Sequence, residues 1–193
     1  QPKGLKPDGR IVHKQQSNVR GERTRESLWK AIDCDDITED FYLFNDDFFI
    51  MKPFTGSYTN YSDGTLEERI TKLRSQNPWL SPYGRTMLKA QQELLSLGAP
   101  EINYDVHMPM LINKSLAKAS ISKCSSPLVK SIYGNINRTP YIYHKDAKVR
   151  SMDEVPDDPD FLSTNDDTFK DGKVGEFIRN AFTEPSRFEV QDG

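Results

Sequence analysis

The sequence predicts an α/β fold in which strands alternate with helices. Short apolar runs rich in aromatic residues, FYLFN at 41–45 and FLST at 161–164, are too short for helices and have high β-propensity. They alternate with longer segments whose apolar residues recur at helical spacing. Two of the apolar runs are followed by an Asn-Asp-Asp triplet, at the edge where open α/β sheets bind ligands.

Five segments are predicted to be helical. The first, 24–33, has Leu28, Ala31 and Ile32 on one face and Thr24 as a candidate N-cap. The third ends at Gly98 before a proline, which is a typical stop signal. The last has an apolar face of Val174, Phe177, Ile178 and Phe182. The predicted helices are 24–33, 66–76, 84–98, a short one after MLI at 110–112, and 172–182, and further strands are predicted at 9–13 and 141–144.

Composition and charge exclude several classes of protein. The net charge is −3 with both signs interspersed, so we expect no nucleic-acid partner. No apolar run approaches the roughly 18 residues of a membrane span. The two cysteines form no CxxC pair, which fits a cytoplasmic setting without disulfides or a zinc knuckle. The 193 residues suit a single domain, and the abrupt start, without an initiator Met, predicts a fragment of a longer chain.

The triplet Asn45-Asp46-Asp47 interrupts an apolar stretch, between FYLF and FFI. Carboxylates in such a setting need either water or a cation. Adjacent carboxylates suit Mg²⁺ or Mn²⁺ held against a diphosphate, because these hard cations prefer oxygen ligands. A turn in which Asp side chains cap backbone N–H groups is the alternative, and the pattern alone leaves both open.

Two further groups are candidates for chemistry. His107, in YDVHMPM, suits a general base on a hydroxyl or a phosphate-binding cation, and a structural role on a loop is the alternative. The second triplet, Asn165-Asp166-Asp167, offers a metal or acceptor ligand, or a cap for the loop that leads to the last helix. Basic residues that suit phosphate, or simple solvation, are Lys114, Lys130, Lys145, Lys148 and Arg150.

The order of the motifs resembles the Stealth family of sugar-phosphate transferases, which includes bacterial capsular polysaccharide phosphotransferases and the animal N-acetylglucosamine phosphotransferase that tags lysosomal enzymes. Asn45 to Asp47 match the family's second region, His107 and Pro109 its HxP motif, and Asn165 and Asp166 its fourth region. The motifs in this chain are IVHKQQ at 11–16, FYLFNDDFFIMKP at 41–53, HMPMLINK at 107–114, FLSTNDDTF at 161–169 and FTEPSRFE at 182–189.

The resemblance implies a GT-A-like transferase domain over residues 1–193, with a mixed sheet flanked by helices. This domain would move a sugar-1-phosphate from a nucleotide-sugar to an acceptor hydroxyl in surface polysaccharide synthesis. Asp46 and Asp47 would hold Mg²⁺ or Mn²⁺ at the nucleotide-sugar diphosphate, and Asp47, His107 and Asp166 would be catalytic. The residues expected to contact substrate are Asn45, Asn113, Lys114, Lys130 and Asn165.

The chain departs from the family pattern at two places. The family's N-terminal strand region has no counterpart here, and the nearest match to a family Arg is Lys130, which does not form the bidentate contacts of an Arg. Transfer of a sugar without its phosphate also stays open. So does a non-catalytic carbohydrate- or partner-binding domain with the same fold, and so does a structural α/β domain with acidic turns.

Overall fold

The computed structural model describes residues 22–54 and 59–184. Within these ranges the chain forms seven helices and six strands, which confirms the predicted α/β class. In chain order they are α1 Glu22–Ile32, β1 Asp40–Leu43, β2 Phe48–Ile50, β3 Asn60–Ser62, α2 Leu66–Gln76, α3 Pro82–Ser96, β4 Met110–Asn113, α4 Lys114–Ile121, α5 Val129–Ile136, β5 Tyr141–Tyr143, β6 Phe161–Ser163, α6 Asp166–Asp171 and α7 Lys173–Ala181. None of these helices combines the length and the apolar character needed to cross a membrane.

The strands pair two by two. β1 pairs antiparallel with β4, β2 pairs antiparallel with β6, and β3 pairs parallel with β5. Both parallel and antiparallel pairing occur, but the described strands form three separate pairs instead of the one mixed sheet that the resemblance implies. The strands are three or four residues long, so each pair depends on packing against helices for its stability.

The chain divides into two compact units. The described part of the larger unit consists of residues 22–45 and 59–146, and that of the smaller unit consists of residues 46–54 and 147–184. The boundary falls inside the first triplet, so Asn45 belongs to the larger unit, whereas Asp46 and Asp47 belong to the smaller one. The single domain that the sequence predicts stays a prediction.

The larger unit has a core of helices packed with the β1–β4 pair. α1 contacts α4 and α5, and α2 and α3 contact each other. Leu28, Met87, Ile112 and Ile132, from four of these elements, are fully buried in one cluster. β4 leads directly into α4 because Asn113, the last residue of the strand, accepts a 3.1 Å hydrogen bond from the N–H of Leu116 as the N-cap.

Two predicted helices begin earlier than expected. α1 begins at Glu22, so Thr24 lies inside the helix and is not its N-cap. α3 begins at Pro82 instead of Gly84. Ser81 caps α3 by accepting a 3.1 Å hydrogen bond from the N–H of Gly84, and Pro82 occupies the first helical position, where its missing N–H costs nothing.

Helix α5 is not predicted from the sequence. Its buried residues Val129, Ile132 and Tyr133 do recur at helical spacing, but Gly134 within the run disfavours a helix. The structure shows why glycine stands there: a Cβ at this position would lie 2.6 Å from the ring of Tyr104. Close packing against Tyr104 therefore outweighs the local propensity at Gly134.

The smaller unit consists of the β2–β6 pair with α6 and α7. Leu162 of β6 is buried together with Val174 and Ile178 of α7. The predicted apolar face of α7 is only partly buried, because Phe177 and Phe182 are 36% and 50% exposed. A separate small core of this kind is consistent with a unit that packs on its own.

Candidate functional site

His107 lies in the loop between α3 and β4 of the larger unit and contacts Asp146. The backbone N–H of His107 donates a 2.8 Å hydrogen bond to Oδ1 of Asp146, and the imidazole Nδ1 lies 2.9 Å from the same oxygen. The two side chains are 18% and 12% exposed. Since an ionised carboxylate only accepts hydrogen bonds, this contact favours hydrogen on Nδ1 and leaves Nε2 as the basic nitrogen.

Lys130 is buried at the second position of α5, and its ammonium holds the loop around His107. It donates hydrogen bonds to the backbone oxygens of Val106 (3.0 Å) and Met108 (2.9 Å), the two neighbours of His107. It also donates a 2.7 Å hydrogen bond to Oδ1 of Asn45. Lys130 is 5% exposed, so these acceptors compensate a charge that has little contact with water.

Asp105, two residues before His107, accepts a 3.0 Å hydrogen bond from the N–H of Ser131 in the first turn of α5. Desolvation raises the pKa of the Asp105 carboxyl above its ordinary value, although the hydrogen bonds from Ser131 and the charge of Lys130 act in the opposite direction. The pKa of the Tyr83 phenol is also raised, first by desolvation and then by the charge of Asp105, with a smaller contribution from Asp146. The loop thus brings together several ionisable groups.

Asn113 and Lys114 have structural contacts. Besides capping α4, Asn113 donates a 2.9 Å hydrogen bond to Asp40 of β1. The ammonium of Lys114 donates to the backbone oxygen of Cys34 at 2.6 Å and to that of Ile37. These contacts tie the start of α4 to the segment after α1, and the substrate contacts expected at both residues stay predictions.

In the smaller unit, the carboxylate of Asp47 forms an ion pair with the ammonium of Lys148. Asp47 directly precedes β2, and Phe48, the first residue of β2, pairs with Ser163 of β6. Lys148 forms a β-bridge with the same Ser163. The two side chains are 31% and 17% exposed, so the ion pair is partly shielded from water.

The second triplet stands at the same end of the β2–β6 pair as Asp47, because β6 ends where β2 begins. Asn165 caps α6 and accepts a 2.8 Å hydrogen bond from the N–H of Thr168. Asp166 is exposed in the first turn of α6. Asn165 therefore has a capping role, but it caps α6, a short helix in the stretch that the sequence predicts as a loop before the last helix. A catalytic role of Asp166 stays a prediction.

Asp46 and Asp47 suit a divalent cation in the type of their ligand atoms. Mg²⁺ often takes one or two carboxylates and completes its shell with water and substrate phosphates, so a pair of carboxylates is sufficient. Among the residues that the structure describes, no three His, Cys, Asp or Glu side chains are grouped to hold a metal. The ammonium of Lys148 already pairs with the Asp47 carboxylate. A metal bound there would either share this carboxylate with Lys148 or displace the ammonium from it.

Sequence reasoning selects His107 and Asp47 but misses Asp146, and it does not identify Lys148 as the partner of Asp47. These contacts join residues 39 and 101 positions apart, and no spacing in the sequence indicates them. The motifs at 11–16 and 185–189, together with the strand predicted at 9–13, lie outside the described residues. No protein-family model matches the chain, and no curated protein sequence matches it.

Proposed function

We propose that this chain is a metal-dependent transferase with a GT-A-like fold, acting on a nucleotide-sugar and an acceptor hydroxyl of a glycan. The observation that carries the proposal is the contact of His107 with Asp146, which leaves Nε2 as the basic nitrogen. A base of this kind suits removal of a hydroxyl proton. The α/β class and the order of the motifs support the proposal, and synthesis of a surface polysaccharide in the cytoplasm belongs to it.

The proposed reaction has two forms, which differ in the bond that breaks. In transfer of a sugar-1-phosphate, the acceptor oxygen bonds to the phosphorus that carries the sugar, and a nucleoside monophosphate leaves with the bridging oxygen. In plain glycosyl transfer, the acceptor oxygen bonds to the anomeric carbon, and a nucleoside diphosphate leaves. In both forms, Nε2 of His107 takes the hydroxyl proton.

Asp46 and Asp47 are the residues that we assign to Mg²⁺ or Mn²⁺. When bound, the cation would offset negative charge on the nucleotide-sugar diphosphate. Lys148 brings a positive charge of the chain itself to Asp47, and this charge would favour a diphosphate in the same way. Asp166 is assigned to the same centre because its triplet stands at the same end of the β2–β6 pair.

The test is to incubate the protein with a panel of nucleotide-sugars, a glycan acceptor and Mn²⁺, and to identify the nucleotide product. A nucleoside monophosphate indicates phosphosugar transfer, and a nucleoside diphosphate indicates glycosyl transfer. His107→Gln should abolish the product, whereas His144→Gln, at an exposed histidine of the same unit, should retain it. Absence of any product across the panel would contradict the proposal.

A non-catalytic carbohydrate- or partner-binding domain is the second candidate, and the ion pair of Asp47 with Lys148 favours it. The negative charge of the Asp47 carboxylate is already compensated by the ammonium of Lys148, so it does not require a metal. A thermal melt with Mn²⁺ and a uridine diphosphate ligand separates the two candidates. The transferase should show a higher melting temperature with both present, and Asp47→Ala should remove this rise, whereas a binding domain that lacks a metal site should show neither effect.

A further inference from the structure

We propose that Asp146 is a positioning residue for His107: it holds the imidazole in one orientation and as the Nδ1–H tautomer, so that Nε2 accepts the proton of a hydroxyl substrate. The role of Nε2 in proton transfer rests on the proposed function. The orientation and the tautomer do not, because they follow from contacts inside the larger unit.

The geometry of the contact carries the inference. One carboxylate oxygen accepts the backbone N–H of His107 at 2.8 Å and lies 2.9 Å from the ring Nδ1 of the same residue, where a carboxylate can only accept a hydrogen bond. Two hydrogen bonds from one residue to one atom close a ring that includes the side-chain torsions of His107, and this restricts the rotation of the imidazole. At exposures of 18% and 12%, water competes poorly for either partner.

The surroundings of His107 keep this contact in place. Lys130 binds the carbonyl oxygens on both sides of His107, so the backbone that supports the ring is held from α5. The ionisable groups that interact with the pair within the larger unit include charges of both signs and a neutral phenol. Asp105 is negative where ionised and interacts with His107, Lys130 is positive, and the Tyr83 phenol interacts with Asp146.

A structural role and a positioning role predict different results for two variants. If Asp146 were purely structural, it would act through its hydrogen bond with the backbone N–H of His107 alone. Removing its side chain would then change the stability of the protein but not the tautomer of His107. Asp146→Ala removes the acceptor of the ring hydrogen. Asp146→Asn keeps an acceptor oxygen of similar position, so it should preserve the tautomer even if the Ala variant is too unstable to study.

The tautomer is measured on the full ¹⁵N-labelled chain in alkaline buffer by long-range ¹H–¹⁵N correlation of the imidazoles. The chain has three histidines, so His107→Gln identifies the signals of His107. The wild type and Asp146→Asn should show hydrogen on Nδ1, and Asp146→Ala should lose this preference. Hydrogen on Nε2 in the wild type, or an unchanged tautomer in Asp146→Ala, would overturn the inference.

A kinetic measurement connects the tautomer to the reaction. Asp146→Ala should lower kcat about 100-fold or more with little change in KM, and Asp146→Asn should recover part of this loss. If the tautomer depends on Asp146 but no transfer occurs, the proposed function fails and the positioning stands. If transfer requires His107 while the tautomer and kcat do not depend on Asp146, the positioning fails and the proposed function stands.

Discussion

The ammonium of Lys130 joins Asn45, the first residue of one Asn-Asp-Asp triplet, to the loop that carries His107. It donates a 2.7 Å hydrogen bond to the side chain of Asn45 and binds the backbone oxygens of Val106 and Met108. The resemblance places an Arg near this position, but here the cation is buried and bound to protein acceptors. Lys130 therefore acts first on the arrangement of the loop.

Replacing Lys130 by methionine should lower the free energy of unfolding by about 3 kcal/mol, since the buried carbonyl oxygens of Val106 and Met108 and the partly buried side chain of Asn45 would lose their hydrogen-bond donor. Urea denaturation measures this change. The matched control is Lys118→Met, at a side chain that is 62% exposed, which should change stability by less than about 0.5 kcal/mol.

The variant Lys130→Arg tests the alternative role of this residue. A guanidinium is larger than an ammonium, and at a site that is 5% exposed it should destabilise the unit as well. A phosphate-binding Lys130 would instead tolerate Arg with unchanged stability and equal or tighter nucleotide-sugar binding. That result, or a Lys130→Met variant as stable as the wild type, would contradict the structural role.

The ion pair of Asp47 with Lys148 predicts how a metal should bind. In Lys148→Met the ammonium no longer competes for the carboxylate, so Mn²⁺ should raise the melting temperature more than it does in the wild type. Asp47→Asn should abolish the rise. The control is Lys52→Met, because Lys52 forms its ion pairs with Asp158 and Asp160. Equal responses of the wild type, Lys148→Met and Asp47→Asn would show that Asp47 is not a metal ligand.

Asn165 has a capping contact that can be separated from a role in substrate binding. Asn165→Ala should lower the free energy of unfolding by about 1 kcal/mol, because the N–H of Thr168 loses its acceptor. Asn165→Asp keeps a capping oxygen and should retain stability. If Asn165 only caps α6, the Asp variant should also retain full transfer activity, and a large loss of activity at normal stability would indicate contact with substrate.

Local patterns predict the helices well where caps and apolar spacing agree. Helix α2 has its predicted bounds because Thr65 and Glu68 form a capping box at its start. Helix α5 is missed because Gly134 is required by its contact with Tyr104, which no local pattern can indicate. The separation of the strands into three pairs is equally a result of long-range packing.

The candidate site is predictable in its residue types but not in its partners. The unusual position of carboxylates among aromatic residues selects Asp47. The structure shows the ammonium of Lys148 as its ion-pair partner, and the metal expected there stays a prediction. The tautomer of His107 depends on its contact with Asp146. Because Asp146 lies 39 positions away in the sequence, this contact can be identified only from the structure.

Asp105 and Glu93 should give opposite pH dependence of stability. The folded state raises the pKa of Asp105 above its ordinary value of 3.8, so above that pH the folded state retains a proton that the unfolded chain has lost. Stability from this group therefore falls as the pH rises through the folded pKa, and Asp105→Asn should gain stability relative to the wild type over this range.

Glu93 provides the opposite case. Desolvation raises its pKa, but hydrogen bonds from Ser125 and Ser126 outweigh it, and the net pKa lies below the ordinary 4.5. Its stabilising contribution is present above that pH and is lost as the pH falls through the folded pKa, so Glu93→Gln should be less stable than the wild type at neutral pH and approach it in acid. Urea denaturation from acid to neutral pH measures both variants. The stability of Asp105→Asn relative to the wild type should rise with pH, and that of Glu93→Gln should fall. A variant whose relative stability changes in the other direction would contradict the pKa shift assigned to its residue.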